Sequence, residues 1–281
     1  MTTDKEVISQ AYDAGVDQEE NRLSESPLKE SEFILISELL DEYIADGSTV
    51  IDIGAGTGRY TEGLLLRHCK VGAVDLSEKS LARLRHRVNG NYGNRFLFTE
   101  KACATELSWI DDGMADAVIL MGPLYHLIGQ TERDKAIAHA YRILKPGGVI
   151  FSLFMSPYPK LNPLMEVDPE TLLDLDYIDS IQYNGVTSVL FNGFRIEQYR
   201  CWPTDGIKMM EKQGFITERL RNIEGIGDFL SLQMVNGHDK TKKTKQLNSM
   251  RRTCENPNLL GTTSQYLYLW RKEITTTSNE L

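Results

Sequence analysis

The sequence predicts an α/β fold in which helices flank a mostly parallel sheet. Apolar, β-branched runs alternate with segments of helical periodicity from Leu28 to Met155, as in folds built from βαβ units. A glycine-rich turn, Gly54–Gly58, directly follows the first apolar run, Thr49–Ile53. The second apolar run, Lys70–Val74, ends in Asp75. Together these features indicate a βαβ unit that binds a ligand at the carboxyl edge of the sheet.

The glycine-rich turn leads into a segment with helical spacing, Arg59–His68. Glycines let the backbone approach a ligand closely, and the free N–H groups at the start of a helix face it. Asp75 follows Gly54 by 75 − 54 = 21 positions. This is close to the spacing of roughly 20 at which an acidic residue binds ribose hydroxyls in such units. The first half of the chain is therefore predicted to bind a nucleoside.

The remaining core elements follow from hydrophobic periodicity and from helix end signals. Ser77 is predicted to cap one helix and Thr131 a later one, which Pro146-Gly147-Gly148 ends. The predicted helices span Leu28–Ala45, Ser77–Val88 and Thr131–Leu144, and the next predicted strands span Arg95–Thr99, Met114–Met121 and Val149–Met155. A basic cluster on the second of these helices is predicted to be a solvent-exposed face; it comprises Arg83, Arg85, His86 and Arg87.

The pattern changes after the fifth strand. Residues 156–202 contain a proline-rich loop, a helical segment over Leu172–Tyr183 and two strand-like runs, Thr187–Phe191 and Phe194–Tyr199, joined by Asn192-Gly193. Two predictions are open for the aromatic side chains of this insertion: they form the insertion's own core, or they line a substrate pocket. They are Tyr158, Tyr177, Tyr183, Phe191, Phe194, Tyr199 and Trp202.

The last third of the chain is predicted to return to the sheet. The predicted elements are a helix over Thr204–Gln213, a strand over Phe215–Asn222, a helix over Gly225–Asn236 and a final strand over Gln265–Arg271. Between them lies a basic run, Lys240–Lys245 with Arg251 and Arg252. We expect this run to be a solvent-exposed face, and a site for an acidic substrate is the alternative.

The composition is that of an acidic chain with one large domain. Its 281 residues carry 31 Lys and Arg against 40 Asp and Glu, a formal net charge of −9, which disfavours general binding to nucleic acids or anionic membranes. The 4 cysteines form no C-x-x-C pair, so reduced thiols are favoured over disulfides or a zinc site. There is no signal-peptide or membrane-spanning apolar segment. A cytoplasmic protein without a metal, nucleic-acid or membrane partner is expected, and its oligomeric state, with a homodimer among the options, stays open.

The first strand and its turn carry a family resemblance. The run V-I-D-I-G-A-G-T-G, with the acidic Asp52 inside the strand, resembles the first motif of class I S-adenosylmethionine-dependent methyltransferases. Three later runs resemble further motifs of that family in the same order: V-G-A-V-D-L-S, M-G-P-L-Y-H-L and L-K-P-G-G-V-I. The third of these four motifs has the form found in a bacterial small-molecule branch. The resemblance covers Tyr12 to Phe154 and is specific because four motifs recur in order.

This resemblance implies a Rossmann-like seven-stranded, mostly parallel sheet with an antiparallel last strand, helices on both faces and a small cap insertion after strand five. The chain then divides into an N-terminal arm or lid (1–27), a cofactor-binding core (28–155), the cap (156–202), the C-terminal part of the sheet (203–272) and a flexible tail (273–281). Tyr12, Glu20, Arg22 and Leu23 resemble a lead-in segment that folds over the cofactor in related enzymes. The alternative is a loose arm without a role.

The resemblance also implies S-adenosylmethionine as the cofactor and in-line methyl transfer to an oxygen or nitrogen atom of a small molecule. The residues that it assigns to the cofactor are Asp52, Gly54, Ala55, Gly56, Thr57, Gly58, Asp75, Leu76, Cys103, Ala104, Met121 and Gly122. Cys103 departs from the family pattern, which often has an Asp there to accept a hydrogen bond from the adenine amino group. We therefore expect neighbouring backbone groups to bind the base.

Two residues that follow the fourth strand are the candidates for catalysis. His126 is the candidate general base, because an imidazole can accept a proton near neutral pH. The alternative for His126 is a structural histidine that hydrogen-bonds to the backbone. Tyr125 is predicted to contact the cofactor or the substrate.

Other functions share parts of this pattern. An NAD(P)-dependent oxidoreductase has a similar turn and acidic residue, and Tyr141 and Lys145 even show the Y-x-x-x-K spacing of short-chain dehydrogenases. Pro146 follows Lys145 directly, however, and ends the helix there. A non-catalytic protein that binds an adenosyl ligand is a second alternative, which the Cys103 departure favours. Nucleic-acid methylation is a third, and both the acidic charge and the lack of an N-P-P-Y-type motif after strand four argue against it.

Overall fold

The computed structural model describes residues 4–161, 168–224, 226–227 and 240–274. The strands in these ranges are β1 (Thr49–Ile53), β2 (Lys70–Asp75), β3 (Phe96–Lys101), β4 (Ala115–Leu120), β5 (Leu144–Met155), β6 (Val186–Phe191), β7 (Phe194–Tyr199), β8 (Phe215–Asn222) and β9 (Gln265–Lys272). The helices are α1 (Asp4–Ala14), α2 (Val16–Arg22), α3 (Pro27–Tyr43), α4 (Arg59–Leu66), α5 (Glu78–Val88), α6 (Gln130–Ile143), α7 (Leu175–Asp179), α8 (Pro203–Glu211) and α9 (Lys240–Thr253).

Seven strands form one sheet in the order β3-β2-β1-β4-β5-β9-β8. The pairs from β3 to β5 are parallel, and β9 is antiparallel to both β5 and β8. This confirms the predicted mostly parallel sheet with an antiparallel last strand. The chain runs from β1 to one edge and then resumes at β4 on the other side of β1, so a crevice opens at the carboxyl ends of these two strands.

Alternating apolar side chains of the strands bury both faces of the sheet. In β1, Val50 packs with α3, α4 and α5 on one face, whereas Ile51 and Ile53 pack towards α6 and α8 on the other. This alternation follows from the period of two in a strand. Burial on both faces explains why β1 reads as a nearly continuous apolar run.

The cap insertion contains the predicted hairpin. Strands β6 and β7 pair antiparallel from Val186↔Tyr199 to Phe191↔Phe194. Asn192 and Gly193 both have positive φ, 50° and 84°, as a two-residue hairpin turn requires. Ile196 of this hairpin packs against α1, so the N-terminal arm and the cap share a small apolar cluster.

Three predictions of local structure were wrong. Thr131 does not cap α6, because the helix begins at Gln130 after Gly129 and has no side-chain cap. Strand β5 begins at Leu144 rather than Val149, since Leu144 pairs with Ala115 before the register shifts. The segment predicted as one helix over Leu172–Tyr183 is broken, because Asp174 accepts hydrogen bonds from Asp176 and Tyr177 and so starts the short helix α7.

The basic run predicted as a solvent-exposed face forms part of α9, which packs on α3. Lys243 pairs with Glu30 at 2.8 Å and Arg251 pairs with Glu38. The helix predicted over 225–236 lies almost entirely outside the described residues. No helix among the described residues is both long enough and apolar enough to cross a membrane.

Candidate active site

One cavity of about 640 Å³ lies at the carboxyl edge of the sheet, where β1, β2 and β4 end. All the residues that the sequence assigned to the cofactor or to catalysis line it: Asp52, Gly54, Ala55, Gly56, Thr57, Gly58, Asp75, Leu76, Cys103, Ala104, Met121, Gly122, Tyr125 and His126. The fold therefore brings four separate segments of the sequence to one site. The N-terminal arm, defined here as α1 and α2, contributes further lining residues.

The turn after β1 requires glycine at two positions, because the backbone there is left-handed and neighbouring atoms leave no room for a Cβ atom. Gly54 and Gly58 have φ of 82° and 83°, a region that side chains disfavour. A Cβ atom on Gly54 would lie 2.6 Å from Pro123 Cδ, and one on Gly58 would lie 2.6 Å from Leu84 Cγ. The backbone of this turn thus packs directly against the β4 turn and α5.

Asp75 is hydrogen-bonded to the backbone of the glycine turn and to the backbone of its own turn after β2. Its Oδ2 accepts from Gly56 N and its Oδ1 from Ser77 N, each at 2.8 Å. Burial raises the pKa of Asp75 to about 6, although these backbone N–H groups act to lower it. Each carboxylate oxygen can still accept a second hydrogen bond, so Asp75 can also bind ribose hydroxyls.

Asp52 lies in the floor of the cavity and accepts a 2.7 Å hydrogen bond from Thr61 Oγ1. Burial raises its pKa to about 7, against the effect of the Thr61 hydrogen bond, and the charge of Asp75 raises it further. A carboxylate so poorly solvated favours a cationic partner, because an opposite charge restores its ionised form. The site therefore suits a ligand that carries an ammonium group next to a nucleoside.

The predicted adenine end is covered by α1. Ser9 Oγ donates to the Leu76 carbonyl at 2.9 Å, and Lys5 Nζ donates to Thr105 Oγ1 at 3.1 Å. Cys103 is buried, and its sulfur accepts a hydrogen bond from Thr105 Oγ1 at 3.2 Å. Cys103 thus has the packed environment of a small structural residue at the cavity wall.

Tyr125 and His126 lie in a short 3₁₀ turn, Pro123–His126, directly after β4. His126 Nε2 is 2.9 Å from the hydroxyl of Tyr12 on α1. His126 Nδ1 is buried and has no hydrogen-bond partner among the described residues. Burial lowers the pKa of His126 to about 4 and raises that of Tyr12 well above its usual range. His126 is therefore a neutral imidazole at physiological pH, bonded to a tyrosine rather than to the backbone.

The comparisons with known proteins point to one family. The family described as "Methyltransferase domain" matches residues 50–148, which contain the glycine turn, Asp75 and the β4 turn. This chain is a class I S-adenosylmethionine-dependent methyltransferase. The ubiquinone/menaquinone biosynthesis C-methyltransferase of Vibrio campbellii is 29% identical over 64% of this chain and 68% of that protein. The ubiquinone biosynthesis O-methyltransferase of Azotobacter vinelandii is 30% identical over 52% of this chain and 65% of that protein.

A solved structure shares the fold of this methyltransferase. It is the 1,6-didemethyltoxoflavin-N1-methyltransferase of Burkholderia thailandensis with bound 1,6-didemethyltoxoflavin and S-adenosylhomocysteine, and it superposes with a TM-score of 0.54 at 15% identity, over 95% of this chain and 88% of that chain. The chain spans about two thirds of the length of the two curated relatives above. The cofactor of this methyltransferase is S-adenosylmethionine, and the buried carboxylates and the glycine turn fit its ammonium and nucleoside groups.

The sequence did not predict the contacts that attach the N-terminal arm of the methyltransferase to α5. Arg87, predicted to be solvent-exposed, is largely buried and donates to the Thr57 carbonyl at 3.0 Å. It also pairs with Glu62 at 3.0 Å and with Glu20 on the arm. Arg83 pairs with Asp17 of the arm. The prediction of a solvent-exposed face was wrong for Arg87, because this cation lies beside an acidic helix that is distant in sequence, whereas Arg83, Arg85 and His86 are exposed as predicted. The only signal in the sequence was helical spacing: the basic residues Arg83 and Arg87 are four positions apart, and their acidic partners Asp17 and Glu20 are three positions apart.

The arm also places two charged side chains at the glycine turn. Arg22 Nε donates to both carboxylate oxygens of Glu19, at 2.9 and 3.0 Å, and both residues line the cavity. Glu19 Oε1 would lie 3.9 Å from a Cβ atom on Gly56. The sequence singled out Arg22 only through a resemblance and gave no signal for Glu19.

The residues of the oxidoreductase alternative do not meet at the cavity. Lys145 Nζ pairs with Asp116 at 2.7 Å, and the Tyr141 ring packs edge-on against Phe215. Neither residue lines the cavity. Within the part of the chain that the structure describes, no group of three His, Cys, Asp or Glu side chains could hold a metal ion.

Proposed function

We propose that this methyltransferase transfers a methyl group to an oxygen or nitrogen atom of a small molecule. The observation that carries the proposal is one cavity that contains both the predicted cofactor residues and the Tyr12–His126 pair, with the arm contributing to its wall. Its volume of about 640 Å³ falls among small-molecule sites of roughly 300–1,000 Å³. The curated relatives are named for ubiquinone biosynthesis, and the solved structure contains 1,6-didemethyltoxoflavin, which supports a small-molecule acceptor.

The cofactor is held by the glycine turn and by two carboxylates. The backbone of Gly54, Ala55, Gly56, Thr57 and Gly58 would contact its methionine and ribose parts, and Asp75 would accept hydrogen bonds from the ribose hydroxyls. Asp52 pairs with the ammonium group. The remaining contacts are made by Leu76, Cys103 and Ala104 around the base and by Met121 and Gly122 beside the methionine part.

When bound, S-adenosylmethionine supplies a methyl group on a positively charged sulfur, which a lone pair of the acceptor can displace in line. The chain contributes alignment and exclusion of water, and both effects lower the barrier to displacement. The acceptor lone pair would form the new bond to the methyl carbon as the C–S bond breaks with its electrons left on sulfur, so the task of the chain's own residues is to hold the two partners in line. His126 or solvent takes the proton that the acceptor loses, and Tyr125 contacts the acceptor or the cofactor.

The weak basicity of His126 supports transfer to a heteroatom. An oxygen or nitrogen lone pair attacks directly and can lose its proton afterwards, whereas a carbon acceptor must first lose a proton or be otherwise activated. Burial lowers the pKa of His126 to about 4, so the neutral imidazole is a poor base for removing a proton from carbon. A cytoplasmic location and a homodimer remain predictions from the sequence, as do the boundaries of the arm, the core and the cap.

The test is methyl transfer from deuterated S-adenosylmethionine to a panel of phenols, amines and nitrogen heterocycles, with products identified by mass spectrometry. We expect a labelled O-methyl or N-methyl product from the wild type and none from Asp75→Asn. A C-methyl product would overturn the assignment of the acceptor atom. Tight binding of S-adenosylhomocysteine without transfer to any compound would favour the non-catalytic alternative.

A further inference from the structure

The turns after β2 and β3 enclose the end of the cavity beside Asp75, here called the base end. The backbone joins the two turns, because Ala102 N donates to the Asp75 carbonyl at 3.1 Å. Helix α1 covers them, since Ser9 Oγ donates to the Leu76 carbonyl at 2.9 Å. In the proposed position of the cofactor Asp75 binds the ribose, so the attached adenine would lie between these two turns and α1.

Few side chains at the base end can form a hydrogen bond with adenine. The lining residues of α1 and of the two turns are mostly apolar and include Ile8, Leu76, Ala102, Cys103 and Ala104. Cys103 is where the family often has an Asp, and its sulfur already accepts a hydrogen bond from Thr105 Oγ1. Among the described residues, the charged side chains that α1 and the turn after β3 contribute to this wall are Asp4, Lys5 and Glu106.

Glu106 is held at the cavity wall by the N-terminal arm. Its Oε1 accepts a hydrogen bond from Lys5 Nζ at 2.8 Å, and Lys5 Nζ also donates to Thr105 Oγ1 at 3.1 Å. The hydrogen bond to Glu106 raises the pKa of Lys5, and the charge of Glu132, which also lines the cavity, raises it further. A carboxylate has about four acceptor positions, so Glu106 can bind a second donor while it stays paired with Lys5.

The exocyclic amino group of adenine is the donor that suits such a carboxylate. Adenine presents this group beside a ring nitrogen that accepts hydrogen bonds. An ionised carboxylate only accepts hydrogen bonds, and Glu and Asp side chains accept from the exocyclic amino group of a base. Hypoxanthine has a carbonyl oxygen in place of the amino group, and its lone pairs would face those of the carboxylate. A carboxylate at the base end therefore favours adenine over hypoxanthine.

We propose that Glu106 accepts a hydrogen bond from the adenine amino group and so replaces the Asp that the family often has at the position of Cys103. Glu106 is then the residue that selects adenine, and Lys5 is a positioning residue that holds its carboxylate at the cavity wall. This inference rests on the position of the cofactor in the proposed function and deepens it. Because Lys5 lies on α1, recognition of the base also depends on the arm.

Titration calorimetry of the full chain with two nucleosides tests the proposal. The probes are S-adenosylhomocysteine and S-inosylhomocysteine, its deaminated form, in which a carbonyl oxygen replaces the adenine amino group. No methyl acceptor is present in the titration. We expect the wild type to bind S-adenosylhomocysteine about twentyfold more tightly, because one hydrogen bond to a charged group is gained and one repulsive contact is avoided.

The variant Glu106→Gln keeps the size of the side chain and removes its charge. A carboxamide can accept from an amino group or donate to a carbonyl, so the preference for S-adenosylhomocysteine should fall to about twofold. Glu132→Gln is the matched control, the same change in another carboxylate that lines the cavity, and it should keep the preference of the wild type. Lys5→Met should lower the preference in part, because the carboxylate remains but is no longer held.

Folding is controlled in the same proteins. The Glu106 side chain is 58% exposed, so Glu106→Gln should unfold at the temperature of the wild type, and thermal unfolding checks this. The comparison of the two nucleosides in the wild type depends on no variant.

Three results would overturn the proposal. Equal binding of the two nucleosides by the wild type would mean that the amino group is not recognised. A preference that survives in Glu106→Gln would assign the base to backbone groups. An equal loss of preference in Glu132→Gln would mean that the total charge of the cavity, and not this carboxylate, selects the base.

These results are separable from a failure of the proposed function. The expected preference for adenine, without methyl transfer to any small molecule, would reject the proposed function and leave Glu106 as the residue that recognises the base. Methyl transfer to a small molecule by a protein that binds the two nucleosides equally would do the reverse.

Discussion

The two halves of the cavity are built in different ways. The proposed cofactor half centres on one short stretch, Asp52 to Asp75, in which a backbone N–H group of the glycine turn binds the Asp75 carboxylate and three glycines have positive φ. The proposed acceptor half comes from side chains of the arm and the β4 turn, and the cap packs behind it through the contact of Phe191 with Tyr12. Its central hydrogen bond joins Tyr12 to His126, which are 114 positions apart. One half is fixed by local backbone geometry and the other by long-range packing.

Because of this difference, we expect the two halves of the cavity to tolerate amino-acid substitutions to different degrees. In the cofactor half any side chain added to Gly54 or Gly58 must displace a neighbouring element, so the turn allows little variation. In the acceptor half, conservative side-chain changes leave the backbone in place and alter only what is bound. We therefore expect substitutions in the first half to abolish function, and those in the second to change specificity or the rate of ligand exchange.

Gly54→Ala should give the largest effect. The left-handed backbone disfavours a side chain by about 1–2 kcal/mol, and the new Cβ would lie 2.6 Å from Pro123 Cδ. We expect the affinity for S-adenosylhomocysteine to fall by about a hundredfold, with a lower melting temperature, since strain and displacement of the β4 turn add. Titration calorimetry and thermal unfolding measure both.

Gly63→Ala is the matched control for that change. Gly63 lies inside α4, and a Cβ atom there would meet nothing within 4 Å. Alanine is favoured over glycine in a helix by about 1 kcal/mol, so this variant should melt higher and bind the ligand normally. Normal ligand binding by Gly54→Ala would mean that the turn is not the rigid half of the cavity.

Ligand binding should depend on pH through Asp52. Its pKa of about 7 in the ligand-free protein means that binding an ammonium group requires loss of a proton near neutral pH. We expect the affinity for S-adenosylhomocysteine to rise about thirtyfold from about pH 5.5 to about pH 8, because the ionised fraction of a carboxyl with a pKa of about 7 grows by about that factor. Asp52→Asn should bind weakly and show little of this dependence. Equal affinity across the range in the wild type would contradict the pairing.

The same carboxyl should affect the stability of the ligand-free protein. Its folded pKa lies above the unfolded value of about 3.9, so the folded state binds more protons between the two values. The stabilising contribution is full below the unfolded pKa and is lost as the pH rises through about 7. Asp52→Asn should therefore melt higher than the wild type at about pH 8, with a smaller difference at about pH 5. Thermal unfolding of both proteins at the two pH values checks the sign.

Weakening the attachment of the arm should give the smallest effect. Arg87→Ala removes the bonds to Thr57, Glu20 and Glu62, whereas the control Arg85→Ala removes a pair with Glu78 within the α5 segment. We expect S-adenosylhomocysteine to dissociate about fivefold faster from Arg87→Ala, because a largely buried pair is lost, and at a near-normal rate from Arg85→Ala. Stopped-flow displacement measures both rates. Equal rates in the two variants would mean that the arm does not control ligand exit.

Much of the cofactor half could be predicted because its signals are local. The apolar run of β1, the glycines after it and the Asp at the end of β2 each act within a few residues of their own position, so the sequence carries them directly. Thr131 shows the limit of local signals, since a capping residue type did not take the capping position. Arg87 shows another, because its role depends on a helix more than sixty positions away.

The sequence by itself determined the open α/β sheet, the edge at which the cavity opens and the glycine turn that lines it, because strand period, glycine conformation and motif spacing are properties of short segments. Only the tertiary structure decided that Tyr12 bonds to His126, that Arg87 joins the arm to the glycine turn and that the cap hairpin backs the arm. These contacts join segments that no local pattern relates. They form only when burial of shared apolar surface, such as that of Ile8, Ala11 and Ile196, brings the arm and the cap together.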